Sequence, residues 1–326
     1  MAKKYSSVRL GGEDKINLIS GIATMLSAGI PILETVNSLL DEAKGNTKII
    51  LEAMRDDLAA GQFMHETLGK FPKVFDKVTI NLVRAAEEAG NLEQTLADVQ
   101  DSIRKQMEFN DKIKSAMMYP VFVMVVFVGV LLMILVVVVP KISQVFSRMN
   151  MELPLPTRIM MQSSNALVGH PFIVTGSVVV FFVVLALIFK YQRHVLTRVL
   201  FALPIVRGLV KNIDLTRFTR SLYLLLTSGL PIVFALELAS EVVVRDDVQK
   251  MLQTAQEMVV SGKSLSEGLK TDNHIMPGSL VKLIEVGEKS GTLDVSLRTI
   301  SESLDYKVSK DLASATALLE PIMLVG

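Results

Sequence analysis

The chain has 326 residues, of which 50% are hydrophobic, and its 34 basic and 33 acidic side chains give a net charge of +1. Its mean hydropathy of +0.43 disfavours a purely water-soluble protein and predicts a membrane protein. The near-neutral charge gives no support for a nucleic-acid binder. Because cysteine is absent, disulfides, thiolate nucleophiles and cysteine-ligated metals are excluded.

Short segments of the chain recur about 200 residues later. Residues 26–32 (LSAGIPI) return as 226–232 (LTSGLPI), and residues 87–92 (EEAGNL) return as 288–293 (EKSGTL). A repeat of this length indicates a duplicated domain rather than a solenoid of short units.

Each copy has the apolar pattern of helices. The stripes that predict the first helix of each copy are Ile16, Ile19, Ala23 and Leu26, and Leu222, Leu225, Leu226 and Gly229. Glycine and proline break these helices, and the proline is expected in the first turn of the next helix. The breaking residues are Gly29, Pro31, Gly229 and Pro231. We therefore expect an all-α fold with about six helices per copy.

A second repeated element, Glu-x-x-Gly-x-Leu, is predicted to join one helix to the next. Its residues are Glu87, Gly90, Leu92, Glu288, Gly291 and Leu293. The glycine permits a left-handed C-cap, and the leucine begins the next apolar stripe. Two roles are open for the glutamate, which either accepts hydrogen bonds from an adjoining turn or contacts a partner.

Two uncharged stretches, residues 121–139 and 172–189, are each long enough to cross a bilayer. Basic residues before the first stretch and after the second predict that both flanks face the cytoplasm. Pro120 and its counterpart Pro321 mark the points where apolar segments enter the membrane. If the helix that begins at residue 91 continues through the first span, it forms a rod of about 70 Å.

The sequence thus predicts six segments in chain order. They are a first cytoplasmic helical domain (1–118), a transmembrane helix (119–139), a short extracytoplasmic loop (140–171), a second transmembrane helix (172–189), a second cytoplasmic helical domain (190–319) and the start of a truncated third transmembrane helix (320–326).

The sequence predicts no catalytic, cofactor or metal site. Residues 261–264 (SGKS) look like the end of a phosphate-binding loop, but Glu257 stands where that loop needs glycine, which favours a helix-terminating glycine instead. The four histidines lack metal-ligand spacing. The pairs Glu87/Glu88 and Glu285/Glu288 lack a neighbouring nucleophile or histidine in sequence. A non-enzymatic protein is therefore expected.

The chain resembles the type II secretion system protein F family in three features: its tandem helical copies, its two repeated elements and the two spans after the first copy. These are polytopic platform proteins of the bacterial inner membrane in type II secretion and type IV pilus machines. The resemblance covers nearly the whole chain, which is similar to the short members of type IVb pilus systems. It implies a six-helix bundle in each cytoplasmic domain and no enzymatic activity.

The resemblance also implies the partners. They are a cytoplasmic assembly or retraction ATPase, the major pilin or pseudopilin, and other inner-membrane components of the machine, with the lipid bilayer around the spans. A homo-oligomer is expected because a platform stands at the centre of a symmetric machine. The rival interpretation is a transporter or channel subunit, in which duplicated halves are common. The spans carry no ionisable side chain, which disfavours the transporter or channel interpretation.

Overall fold

The computed structural model describes residues 5, 7–148, 204–270 and 274–325. Their regular structure is entirely helical, so the all-α prediction is confirmed for this part of the chain. The predicted second span at 172–189, and the predicted loop beyond residue 148, lie outside the described residues.

Six helices form what we call the first half: α1 (Gly12–Ser27), α2 (Ile32–Glu42), α3 (Gly45–Ala59), α4 (Met64–Gly69), α5 (Lys77–Ala89) and α6 (Leu92–Met133). A π-helical turn (Ile134–Val138) and α7 (Val139–Arg148) follow. Six described helices form the second half: α8 (Pro204–Thr227), α9 (Ile232–Ser240), α10 (Asp246–Val260), α11 (Leu265–Leu269), α12 (Gly278–Ser290) and α13 (Leu293–Val325).

The two halves repeat the same order of helices. The third to sixth helices of the first half begin at residues 45, 64, 77 and 92, and those of the second half begin at 246, 265, 278 and 293, which is 201 residues later each time. The repeated apolar stripes are the physical cause, because each helix buries the corresponding face. Ile19 is fully buried in α1, as are Leu222 and Leu225 in α8.

One member of the predicted stripes lies elsewhere. Gly229 is exposed, because α8 ends at Thr227 and the glycine belongs to the turn that follows. The breaking prolines also stand one residue earlier than predicted. Pro31 and Pro231 occupy the N-cap positions of α2 and α9, and the first helical turn begins at the next residue.

The chain divides into two compact units. Met1–Ile113 and Leu209–Asp311 form the first unit, and Lys114–Gly208 with Leu312–Gly326 form the second. Within the first unit the two halves contact each other, for example through α5 and α9. Lys77 of α5 and Glu241, which follows α9, form an ion pair of 2.7 Å there.

One stretch among the described residues, Val125–Ile142, is long and apolar enough to cross a membrane. It overlaps the predicted first span at 121–139, and the helix continues through Pro120 to reach it. The helix also continues past residue 140, where the sequence predicts a loop. Pro140 cannot donate a hydrogen bond to the carbonyl of Val136, and its ring crowds that carbonyl. The π-helical turn just before it widens the helix at this point.

Candidate functional site

The repeated element of the first half brings Glu87, near the end of α5, to the beginning of α4. Its Oε1 accepts a hydrogen bond from the backbone N–H of Met64 at 2.6 Å, and its Oε2 accepts one from His65 at 3.1 Å. Both amides lie in the first helical turn, where backbone donors have no acceptor within the helix. A carboxylate at this end also interacts favourably with the helix dipole. The Glu87 side chain is only 9% exposed.

The imidazole of His65 joins this contact. Its Nδ1 lies 2.6 Å from Oε2 of Glu87. The spacing of the histidines gave no sign of this contact, since Glu87 is 22 residues away from His65 along the chain. The second half has Ser266 at the matching position, so this ring contact belongs to the first half alone.

The second half repeats the carboxylate cap. Oε1 of Glu288 accepts a hydrogen bond from Leu265 N at 2.5 Å, and Oε2 accepts one from Ser266 N at 2.9 Å. Both glutamates therefore accept hydrogen bonds from an adjoining helix start, which is the first of the two roles that the sequence leaves open. Contact with a partner through these residues stays a prediction.

The glycines of the element end α5 and α12. Gly90 and Gly291 have φ angles of 73° and 72°, which confirms the predicted left-handed C-caps. Glycine suits this conformation because it has no Cβ to clash with the carbonyl. Leu92 and Leu293 are the first residues of α6 and α13, and both pack against the hydrophobic core. The element is thus a compact helix–turn–helix junction that also fixes a third helix.

The segment that looks like a phosphate-binding loop has a structural role. Gly262, with φ of 84°, lies in the turn after α10, as the helix-terminating interpretation predicts. Ser264 is the N-cap of α11, and its hydroxyl accepts a hydrogen bond from the N–H of Glu267 at 3.2 Å. Across the described residues, no group of three or more metal-ligating side chains could hold a metal ion.

Glu285 and Glu288, weighed above as paired carboxylates, have separate surroundings. Three lysines surround Glu285, with Nζ to carboxylate distances of 2.7 Å for Lys289, 3.2 Å for Lys282 and 3.4 Å for Lys270. Their hydrogen bonds lower the pKa of Glu285 to about 2. A carboxyl group that stays ionised at neutral pH is suited to binding cations and unsuited to acid–base catalysis.

We expect Glu285→Gln to flatten the acid limb of the stability profile. Because the pKa falls from its usual 4.5 to about 2 in the folded protein, the stabilisation is present above pH 4.5 and is lost as the pH falls towards 2. The melting temperature of the wild type should therefore fall more steeply across this window than that of Glu285→Gln. Thermal unfolding in detergent, followed by circular dichroism, measures the melting temperature at each pH. Glu302→Gln, which removes an exposed carboxylate paired with Arg298, should track the wild type, and parallel curves for all three proteins would contradict the expectation.

A further carboxylate cap was missed in the sequence. Asp214 of α8 is fully buried, and it accepts hydrogen bonds from the N–H groups of Val244 at 3.2 Å and Arg245 at 2.9 Å, just before α10. Burial raises the pKa of Asp214, and the two backbone hydrogen bonds oppose that shift. The sequence did carry one indication that Asp214 has a special role, because Asp214 is the single acid among the basic residues between 190 and 220.

Together these features define, for the described part of the chain, an all-helical structure with repeated carboxylate-capped junctions and an apolar helix of membrane-spanning length. The chain belongs to the type II secretion system protein F family, whose model matches residues 18–140 and 218–326. It is 32% identical over 314 residues to the type IV pilus assembly protein PilC of Thermus thermophilus, and the alignment covers 93% of this chain and 75% of that protein.

Two further relatives come from both kinds of machine. The chain is 28% identical over 319 residues to PilC of Myxococcus xanthus, covering 96% of this chain and 76% of the relative. It is also 28% identical over 308 residues to the type II secretion system protein F of Aeromonas hydrophila, covering 94% and 79%.

Proposed function

We propose that the protein is an inner-membrane platform of a type IV pilus or type II secretion machine, which couples a cytoplasmic ATPase to the insertion of pilin subunits into the fibre. The family and the names of the relatives support this assignment. In this proposal the ATPase is a separate protein and the platform itself carries out no catalysis. The platform transmits displacement from the motor to pilin in the bilayer.

The observation that carries the proposal is the unbroken helical course of residues 92–148. α6 alone has 42 residues, a length of about 63 Å, and the π-helical turn and α7 continue it. The first turns of α6 follow the junction that contains Glu87. The candidate span Val125–Ile142 begins in α6 and continues through the π-helical turn into α7. Apart from Pro120 and Pro140, which each lack a backbone N–H, the helical hydrogen bonds continue along this course, so it suits a part that carries displacement.

The proposed topology follows the segments predicted from the sequence. Within residues 1–118 and 190–319, the first and second halves are two homologous six-helix bundles in the cytoplasm, and the spans cross the membrane as a multi-pass anchor. The basic flanks of the spans support this orientation. The repeated order of helices supports the duplication. Pilin would contact the apolar surface of the spans, and the ATPase would contact the cytoplasmic bundles.

The test separates binding of partners from coupling between them. Ser115 and Ala116 lie in α6 between its junction and the candidate span, and replacing both with glycine weakens the helix by about 1–1.5 kcal/mol. Ser115→Ala is the matched control, since alanine preserves the helix. We expect all three proteins, extracted from host membranes, to retain the assembly ATPase and the major pilin in a pull-down. Only the double-glycine variant should fail to restore surface fibres, or substrate secretion, in a deletion strain.

Three results would contradict the proposal. If the wild type captures neither the ATPase nor pilin, the platform assignment is wrong. Specific solute flux through the purified protein in liposomes would favour a transporter. If the double-glycine variant restores fibres as well as Ser115→Ala does, continuity of α6 is not required for coupling.

A further inference from the structure

A cavity of about 340 Å³ lies where the two halves meet inside the first compact unit. Helices α1, α5 and α6 of the first half and α8 of the second half contribute to its wall. Among the described residues that line it, the basic side chains are Lys15, Arg217 and Arg220, and the acidic one is Asp76. The volume lies within the range of small-molecule pockets, which starts near 300 Å³.

Arg217 has hydrogen-bonding capacity that the protein does not use. One terminal nitrogen, Nη2, donates a long hydrogen bond of 3.4 Å to the neutral amide oxygen of Asn110. Its Nε is buried, and no atom in the described part of the chain accepts a hydrogen bond from it. A buried donor without an acceptor is unfavourable, and more so when it belongs to a charged group.

Arg220 is in a similar position. Its guanidinium lies 5.6 Å from the ring centroid of Phe109, and Nη2 is 3.9 Å from the nearest carboxylate oxygen of Asp305. Its Nη1 is buried and finds no hydrogen-bond acceptor within the described chain. The acids whose charges act on Arg220, chiefly Asp305 and Asp101, line a separate cavity that Arg220 also borders. They do not line the cavity that contains Arg217.

Lys15 completes the basic set. Its Nζ lies 5.5 Å from the centroid of the Phe75 ring, and burial lowers its pKa, while the charge of Asp76 opposes that shift. The Asp76 carboxylate already has a structural role, because its Oδ1 accepts a hydrogen bond from the N–H of Thr79 at 2.8 Å and caps α5. The wall of the cavity thus carries three basic side chains against one acidic side chain, and Asp214, Asp305 and Asp101 outside that wall offset part of the positive charge.

We propose that this cavity binds a phosphate group, carried by a small phosphorylated molecule or by the headgroup of an anionic phospholipid. A phosphate accepts hydrogen bonds on several oxygens at once, which matches two guanidinium groups with unused donors. Ser102, Gln106 and Ser221 add neutral polar side chains to the same wall. Because residues of both halves line the cavity, the ligand holds α8 against α1, α5 and α6. This site goes beyond the platform function, which requires no small ligand.

The experiment uses the full chain in nanodiscs of zwitterionic phosphatidylcholine. In the first arm, inorganic phosphate is titrated by calorimetry at constant ionic strength. In the second arm, phosphatidylglycerol is included and native mass spectrometry counts the molecules retained by the protein. In whichever arm the wild type shows binding, we expect Arg217→Gln to weaken that binding about tenfold or more, because a charged hydrogen-bond donor is lost. Arg84→Gln, which removes an exposed arginine of α5 paired with Glu88, is the matched control and should bind as the wild type does.

Each outcome decides the proposal. Saturable binding of phosphate that depends on Arg217 identifies a free phosphorylated ligand, and Arg217-dependent retention of phosphatidylglycerol identifies a lipid headgroup. The proposal is overturned if neither arm shows binding, or if Arg217→Gln and Arg84→Gln behave alike in both arms. Should Arg217→Gln fail to fold by circular dichroism, Lys15→Gln takes its place with the same expectation. Neither arm contains ATPase or pilin, so failure here leaves the platform function unaffected.

Discussion

Replacing Glu87 with alanine should lower the free energy of unfolding by about 2–4 kcal/mol. The substitution leaves the N–H groups of Met64 and His65 without their carboxylate acceptor at the start of α4, and it also removes the contact with the His65 ring. Water replaces these hydrogen bonds poorly, because the Glu87 side chain is 9% exposed. Denaturant unfolding of the full chain in detergent measures the change, and amide hydrogen exchange should become faster at both residues.

The adjacent glutamate provides the matched control. Glu88 pairs with Arg84 at 3.0 Å, and its side chain is 64% exposed. Exposed ion pairs of this kind contribute little, so Glu88→Ala should change the free energy of unfolding by no more than about 0.5 kcal/mol. Equal losses of stability for the two variants would show that the carboxylate cap on α4 is not what stabilises this junction.

The second large effect is expected for Gly268→Ala in α11. A Cβ at Gly268 would lie 2.6 Å from the Cα of Ala255 and 2.9 Å from its Cβ. Because the obstructing atoms belong to the backbone of α10 or lie next to it, rotation of a side chain cannot relieve the overlap. We expect a loss of about 1–3 kcal/mol, measured as a lower melting temperature, as α11 is pushed away from α10.

Gly69→Ala, at the end of α4, is the control for this substitution. An added Cβ there meets no atom within 4 Å in the described structure. Its melting temperature should therefore stay close to that of the wild type. If Gly268→Ala melts at the same temperature as Gly69→Ala, then the backbones of α10 and α11 are not in close contact at this position.

The position of Gly268 also shows that the two halves use different packing for the same helix. The residue 201 positions earlier is Thr67, which is buried and donates a hydrogen bond to Asp57 at 2.6 Å. The first half thus joins α4 to α3 through a hydroxyl group, whereas the second half brings the backbones of α10 and α11 into close contact. The two halves share the order of their helices but differ in the contacts between those helices.

The sequence was informative wherever structure depends on neighbouring residues. Apolar stripes and the left-handed positions of Gly90 and Gly291 are local features, so the junctions between helices could be predicted. The carboxylate caps could not be assigned, because Glu87 binds amides more than 20 residues away and Asp214 binds amides 30 residues away. Such partners are known only once the helices have packed.

The contact between the halves is a clearer case of structure that the sequence alone could not predict. Leu82 and Leu283 are the same amino acid at matching positions of the repeat, yet Leu82 is 2% exposed and Leu283 is 40% exposed. The first leucine lies in the wall of the cavity that the second half helps to form. Two positions with equal sequence patterns therefore have different surroundings. The cationic cavity depends on this asymmetry, so no repeat or local motif could have predicted it.

The π-helical turn at Ile134–Val138 changes which way the apolar helix faces. A π-helical turn accommodates one more residue than an α-helical turn, and each α-helical residue advances the direction of the side chains by about 100°. Side chains after the turn are therefore rotated by about that angle relative to an uninterrupted α-helix. The segment before the turn and α7 consequently present differently phased surfaces, so a neighbour that follows one side of the helix meets a different set of residues beyond Val138.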